Sequence, residues 1–437
     1  MRRSLRLVWI ALAIGCVLPP VVAGGDPSAW RMLKNPEDAG YSSQALRRIR
    51  EHYASCDLAA LFIVHHGRVV MALGEFQRRF PCHSIRKSLM NAVMGIAVGQ
   101  GRIDLDNTLA ELGVDDVGGL TDTEKQATVR QLLQGRSGVY HAAVYETPSM
   151  TRGKPRRGAH PPGTFWYYNN WDFNILSTIV NQATGDDFLR LFRTRVAEPL
   201  GMEDYRELDG NYYLDSAVSR HPAYGFKLSA RDLARFGLLY LQRGTWNGEG
   251  ILSEQWVAES TRSYSDTLSA RGGYGYLWWT PELGPGLHAF AACGVGTQVL
   301  LVVPELQLVV VQRVNTFAGK KHPFDPVLYH MVIDAVKGAS GEGGELVPLL
   351  SRPEEVATSV ERRETYLGDY RGPDGLYRIL AYGPGLLITY PKGMQARLLP
   401  RGSEGEFLVE DVFEAVRLEK PDPARAGRLI LTSPARE

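Results

Sequence analysis

The chain has 437 residues, 44% hydrophobic and 22% charged, a composition that supports a large buried core and excludes a disordered or fibrous protein. Lys and Arg number 49 against 48 Asp and Glu, a net charge of +1, so no electrostatic footprint for nucleic acid or an anionic membrane is present. Four cysteines in this length exclude a disulfide scaffold, and the length suits two or three domains.

Arg2, Arg3 and Arg6 precede an apolar run from Leu7 to Leu18, and the small-residue pattern Val21-Val22-Ala23 follows. That three-part layout predicts a secretory signal over residues 1–23 and an exported protein, periplasmic or secreted. The apolar run stops at Pro19-Pro20, too short to cross roughly 30 Å of hydrocarbon as a helix. Ala13-Ile14-Gly15-Cys16 loosely resembles a lipoprotein processing site, which leaves lipid attachment at Cys16 as the lesser alternative. Loss of the signal removes Cys16 and leaves Cys56, Cys82 and Cys293 in an oxidising compartment. Cys56 and Cys82 flank a predicted hairpin, so either they pair or all three are buried thiols.

That hairpin is Ala60 to Val64 and Arg68 to Leu73 around His65-His66-Gly67, and it opens a main domain expected over residues 30–337. From Ser84 to Val98, Ile85, Leu89, Val93 and Ile96 fall near helical spacing with few polar residues between them, which predicts a helix buried at the domain centre. Helical patterns continue at Val129 to Gln134, Phe173 to Ala183, Asp187 to Val196 and Ala230 to Gln242, punctuated by Gly and Pro. Gln298 to Val303 and Leu308 to Arg313 are nearly continuous Val and Leu around Pro304-Glu305, the pattern of a buried hairpin. Residues 338–365 turn to Gly, Ser, Glu and Pro, a linker composition. Beyond it Tyr366 to Tyr370, Tyr377 to Ala381, Leu386 to Tyr390, Arg397 to Leu399, Phe407 to Val409 and Leu429 to Leu431 predict a small β-rich domain over 366–437.

Chemistry concentrates at Ser84-Ile85-Arg86-Lys87, where a hydroxyl and an amine three residues apart share one face of a first helical turn. A Ser hydroxyl is a weak nucleophile until a neighbour takes its proton, and a desolvated, neutral Lys can do so. The helix N-terminus adds donors for a developing oxyanion. The spacing alone is cheap, arising about once by chance in a chain this long, with Ser84 then a plain cap. Downstream, Pro162-Gly163 leads into Trp166-Tyr167-Tyr168-Asn169-Asn170-Trp171-Asp172-Phe173. There a Tyr hydroxyl can share a proton with Ser84 and Lys87, and an Asn amide can orient the Lys and a substrate carbonyl. Trp166, Trp171 and Phe173 read as aromatic core. Glu124-Lys125 and Asp115-Asp116 read as solvated surface.

The order SxxK, then YxN, then Ala292-Cys293-Gly294-Val295-Gly296 before a Val-rich hairpin resembles the serine hydrolases related to class C β-lactamases and penicillin-binding DD-peptidases. Ser84 to Asp106, Leu132 to Tyr140, Pro162 to Leu176 and Ser229 to Gly244 look like the esterase and amidase branch, which includes 6-aminohexanoate-dimer hydrolases. The resemblance implies an α/β fold, with a β-lactamase/transpeptidase-like antiparallel sheet flanked by helices and a helical subdomain. It implies Ser84 as acyl-forming nucleophile, Lys87 as its proton partner and Tyr168 as acid or base. Asn170 becomes an orienter, and Gly294 and Val295 line the substrate, with the N–H groups of Ser84 and Val295 forming the oxyanion hole. A second YxN register, Tyr167 with Asn169, stays open beside Tyr168 with Asn170, which the family spacing favours. The third element departs from the family's KTG or HxG pattern: Ala292 stands where a cation binds the substrate carboxylate, which weighs against β-lactams and D-Ala-D-Ala peptides. Cys293 reads as a strand thiol.

The implied activity is hydrolysis of a small-molecule ester or amide through an acyl-enzyme. A low-activity penicillin-recognising enzyme and a non-catalytic binding protein on the same fold are the alternatives. His65-His66 and His141 lack companions at metal spacing, so neither metal nor organic cofactor is expected.

Overall fold

The computed structural model describes residues 29–432, except 270, 318–325, 350–359, 361–362, 392, 402–403, 411–414 and 420–425. The predicted signal, with Cys16, lies outside the described residues. Among those described, no helix is long and apolar enough to cross a membrane.

The predicted hairpins lie side by side in a ten-stranded sheet. From one edge its order is Leu346–Pro348, Arg31–Leu33, Arg68–Gly74, Ala60–His65, Leu308–Arg313, Gln298–Val303, Phe290–Gly294, Trp279–Thr280, Gly272–Tyr274, Ser265–Ser269. Neighbours are antiparallel except Arg31–Leu33 beside Arg68–Gly74, so the expected antiparallel sheet is mixed at one point. Ala60–His65, Gln298–Val303 and Leu308–Arg313 are buried at every position, as strands covered on both faces must be. The Ala230–Leu241 helix covers one face. It passes so close at Gly237 that a Cβ there would lie 2.7 Å from Val309 and 2.8 Å from Leu300. On the opposite face Tyr329 of the Pro326–Lys337 helix donates its hydroxyl to Gln312 at 3.1 Å, and the Ser43–Ser55 helix packs beside it.

The central helix runs Arg86–Gly99, with a 3-10 turn, His83–Ile85, ahead of it. Ser84 therefore belongs to the turn and caps nothing. The helix is buried nearly all round because the Asn170–Thr184 and Phe188–Phe192 helices and strand Ala223–Leu228 pack against it. Asn170–Thr184 begins three residues before its predicted start, since Asn169 caps it through its side chain. Between the predicted helices, Ala223–Leu228 and Gly210–Tyr213 form a three-stranded sheet with Phe80–Pro81.

Beyond residue 366 seven strands close into a barrel, Gly368–Gly372 pairing in parallel with Gly427–Thr432. Ala415–Glu419 is a strand that the sequence pattern missed. Barrel strands alternate, so Tyr377 and Ile379 join an interior with Tyr370, Ile388 and Phe407 while Arg378 and Leu380 face out.

Three expectations are corrected. The predicted linker contributes Leu346–Pro348 to the edge of the main sheet, paired with Arg31–Leu33. Cys56 and Cys82 do not pair: Cys82 is fully buried beside Arg313, whereas Cys56 sits half-buried beside His52. Asp116 and Glu124 are buried rather than surface. Asp116 accepts from Trp171 Nε1 and Ser219 Oγ, each at 2.7 Å, and Glu124 is gripped by Arg157.

Candidate active site

Strand Phe80–Pro81 delivers the chain to Cys82, and His83 then turns it with φ 47°, a left-handed conformation that side chains seldom adopt. Ser84 follows, half-buried, and Lys87 lies one turn on. Lys87 Nζ donates to Ser84 Oγ at 2.9 Å. The amine is 2% exposed and has no carboxylate partner among the described residues. Burial first, and the Arg86 charge second, hold its pKa well below the usual lysine range. An amine that holds its proton less tightly than usual, facing a hydroxyl, is the arrangement a proton acceptor needs.

Tyr168 completes the cluster. Its hydroxyl interacts with Ser84, and burial pushes its pKa up to about 12, so at neutral pH it is a phenol with a proton to give. Its ring is packed by Trp279 at 5.3 Å, Phe173 at 5.0 Å and Lys87 Nζ at 4.6 Å. Tyr167 points elsewhere and donates its hydroxyl to the Met150 carbonyl at 2.7 Å. Asn169 binds the Val139 carbonyl and Asp172. Asn170 donates to the Tyr145 carbonyl at 2.6 Å and keeps a buried Oδ1 with no partner among the described residues. Of the two YxN registers, only Tyr168 meets Ser84.

The third element closes on the same turn. A Cβ on Gly294 would lie 2.5 Å from the Cys82 carbonyl, so only glycine lets the Phe290–Gly294 strand run against the turn that carries Ser84. Val295 follows with its side chain 46% exposed. Burial pushes the Cys293 thiol up to about 11, which leaves it protonated and inert. A small, partly open pocket lies beside it, lined by Trp279, Cys293, Leu283, Val299, Tyr329 and Arg271.

Three residues escaped the sequence reading. Arg86 is buried beside Lys87, 4.5 Å from the Tyr224 ring centre, with Nε and Nη1 unpartnered. Its place within SxxK offered no signal, because an Arg in a first turn is ordinarily solvated. Arg271 lies 5.1 Å from the Trp279 ring centre, and its charge reaches Tyr168 and Cys293. It arrives from an edge hairpin that the sequence pattern left unassigned. His83 uses both ring nitrogens, Nδ1 with Tyr145 Oη at 3.2 Å and Nε2 with Thr316 Oγ1 at 2.9 Å. Thr316 is 233 positions away, beyond any sequence pattern.

A sequence profile described as Beta-lactamase matches residues 47–330. The 6-aminohexanoate-dimer hydrolase of Paenarthrobacter ureafaciens is 24% identical over 256 residues, 50% of this chain and 63% of that protein. An uncharacterized protein of Alkalihalophilus pseudofirmus is 24% identical over 306 residues, 60% of this chain and 85% of that one. Among solved structures, SurE with D-Leu aligns at a TM-score of 0.52 and 20% identity, covering 89% of this chain and 97% of that one. The octameric penicillin-binding protein homologue from Pyrococcus abyssi aligns at 0.51 and 17%, covering 90% and 96%. These structures share the fold. The profile spans well over half the chain, and the chain belongs to the beta-lactamase family, with its serine-hydrolase and penicillin-binding-protein-like fold.

Proposed function

We propose that this chain is an exported serine hydrolase that cleaves a small-molecule ester or amide through an acyl-enzyme on Ser84. The observation that carries the reading is the buried Lys87 amine, 2.9 Å from Ser84 Oγ and lacking any carboxylate partner among the described residues. Ser84 Oγ attacks the carbonyl carbon as its proton passes to Lys87 Nζ. The bond to the leaving alkoxide or amine breaks as that group takes a proton by way of Tyr168. Water then attacks the Ser84 ester, gives its proton back through the same pair, and releases the acid with Ser84 restored.

Backbone N–H groups of Ser84 and Val295 stabilise the oxyanion, a role supported by the close approach of Gly294 to the turn. Asn170 orients substrate and neighbours through its free buried Oδ1. The hydrolase names among the relatives support an ester or amide substrate. Ala292 in the place of the family cation argues against carboxylate-anchored β-lactams. Export rests on the Arg2, Arg3, Arg6 and Leu7 to Leu18 pattern.

The test is p-nitrophenol release from p-nitrophenyl butyrate on a fast timescale, with Ser84→Ala beside the wild type. The expected result is a burst stoichiometric with enzyme, followed by turnover, and neither in the variant. Identical buffer-level rates from two folded proteins would overturn the proposal in favour of a binding protein.

A further inference from the structure

We infer that the C-terminal barrel positions the nucleophile turn, so that a domain without reacting groups is part of what makes Ser84 competent. The inference rests on Ser84 as the nucleophile. Three separate contacts lead from the barrel to residues 79–83, the segment that delivers Ser84.

The first is ionic. Glu410, at the end of barrel strand Glu406–Val409, is 4% exposed. It accepts from Arg206 at 3.0 and 2.7 Å and from Arg397 at 2.9 Å, and Arg79 Nη2 lies 3.4 Å away. Arg79 also donates to the Asp204 carbonyl at 3.2 Å and lies 3.4 Å from Asp209. Lys227, which sits across the ladder from Pro81, donates to the barrel's Gln395 carbonyl at 3.2 Å and meets Asp209 at 3.2 Å. The strand entering the turn is thus tied to the barrel on itself and on its partner strand.

The second contact reaches the far side of the turn. Phe317 packs against the barrel core, and the adjacent Thr316 Oγ1 binds His83 Nε2 at 2.9 Å. The third runs through aromatic rings. Barrel residue Gly393, with φ +90°, approaches so closely that a Cβ there would lie 2.4 Å from the Tyr212 carbonyl. Its neighbour Tyr213 stacks on Tyr145 at 4.6 Å, and Tyr145 Oη binds His83 Nδ1 at 3.2 Å. Both nitrogens of the His83 ring are therefore held by groups that the barrel backs. His83 is the non-glycine residue in the left-handed region next to Ser84. Such a conformation persists where its surroundings over-determine it, and here the surroundings include the barrel. His83, Thr316 and Glu410 are positioning residues in this scheme.

The experiment uses the full chain, with Thr316→Val, Phe317→Ala and Glu410→Gln beside Leu380→Ser, an outward-facing barrel change. All eight tryptophans precede residue 280, so tryptophan fluorescence follows the main domain, and hydrogen exchange on barrel strands follows the barrel. The expected result is a p-nitrophenol burst of full amplitude whose rate constant falls about tenfold or more in the first three variants. The substrate dissociation constant read from the concentration dependence of the burst should stay within about twofold, the tryptophan melt of Thr316→Val should be unmoved, and Leu380→Ser should match wild type. Thr316→Val keeps the side-chain shape and removes only the hydroxyl, so it reports even if Glu410→Gln fails to fold. A wild-type burst rate constant in Thr316→Val and Phe317→Ala would overturn the inference. A wild type with no Ser84-dependent burst would overturn the hydrolase reading and this inference with it.

Discussion

At the seam between main domain and barrel, Glu410 meets Arg206 and Arg397, and Asp209 meets Lys227 and Arg79. Nearby, Arg231 forks onto both oxygens of Asp204 at 2.7 Å. Around Ser84 the pattern reverses. Lys87, Arg86 and Arg313 are each 2% exposed or less, and none has a carboxylate partner among the described residues. Arg313 makes do with the Phe80 and Pro81 carbonyls, and Arg86 with Asn174 Oδ1 at 3.1 Å. Coulombic attraction offsets the desolvation of a paired buried charge, whereas hydrogen bonds to neutral groups offset less of it for an unpaired one. The contrast teaches that this fold gives up stability at the turn to keep an amine of lowered pKa beside a hydroxyl, and recovers order at the seam with paired charges.

The largest expected effect comes from breaking the unpaired side. Lys87→Met should lower kcat/KM for p-nitrophenyl butyrate by about 10²- to 10⁴-fold, and steady-state kinetics checks this. The same change should raise the melting temperature. Lys87 has a folded pKa below its unfolded value of 10.5, so the unfolded chain binds more protons between the two values, and stability is lost as pH falls from 10.5 towards the folded pKa. Methionine removes that loss, and a lower melting temperature in Lys87→Met at pH 7 would sink the comparison.

On the paired side, Arg231→Met leaves Asp204 without its fork and should cost about 3–5 kcal/mol in urea unfolding. Asp172 sharpens the contrast with the opposite sign. It is 1% exposed, bonded by Ser137 and Asn169, and burial pushes its pKa up to about 8 from 3.8. The folded state keeps a proton that the unfolded chain releases, so stability present below pH 4 is lost as pH rises to about 8. Asp172→Asn should flatten that slope, and melting temperatures measured from pH 4 to 8 test it. The smallest effect belongs to the exposed pair Arg243 and Glu254, where Arg243→Ala should change stability by less than about 1 kcal/mol.

Both buried hairpins of the sheet were legible because strands covered on two faces carry unbroken apolar runs. So was the helix after Ser84, because a helix enclosed all round shows few polar positions. The barrel was legible strand by strand from alternation, but its closure was not, since the parallel pairing of Gly368–Gly372 with Gly427–Thr432 joins segments about sixty residues apart. Cys56 and Cys82 looked pairable from chain order alone, and their burial in separate places decided otherwise.

By itself the sequence determined the family, the SxxK turn and the pair of candidate tyrosines, because these are local spacings that chain geometry translates directly into shared faces. Only the tertiary structure decided that Tyr168 rather than Tyr167 meets Ser84. It alone placed Arg86 in the dark beside Lys87, brought Arg271 near the site, and set Thr316 and the barrel behind His83. Burial and long-range contact set those outcomes, and both are properties of packing that no single segment carries.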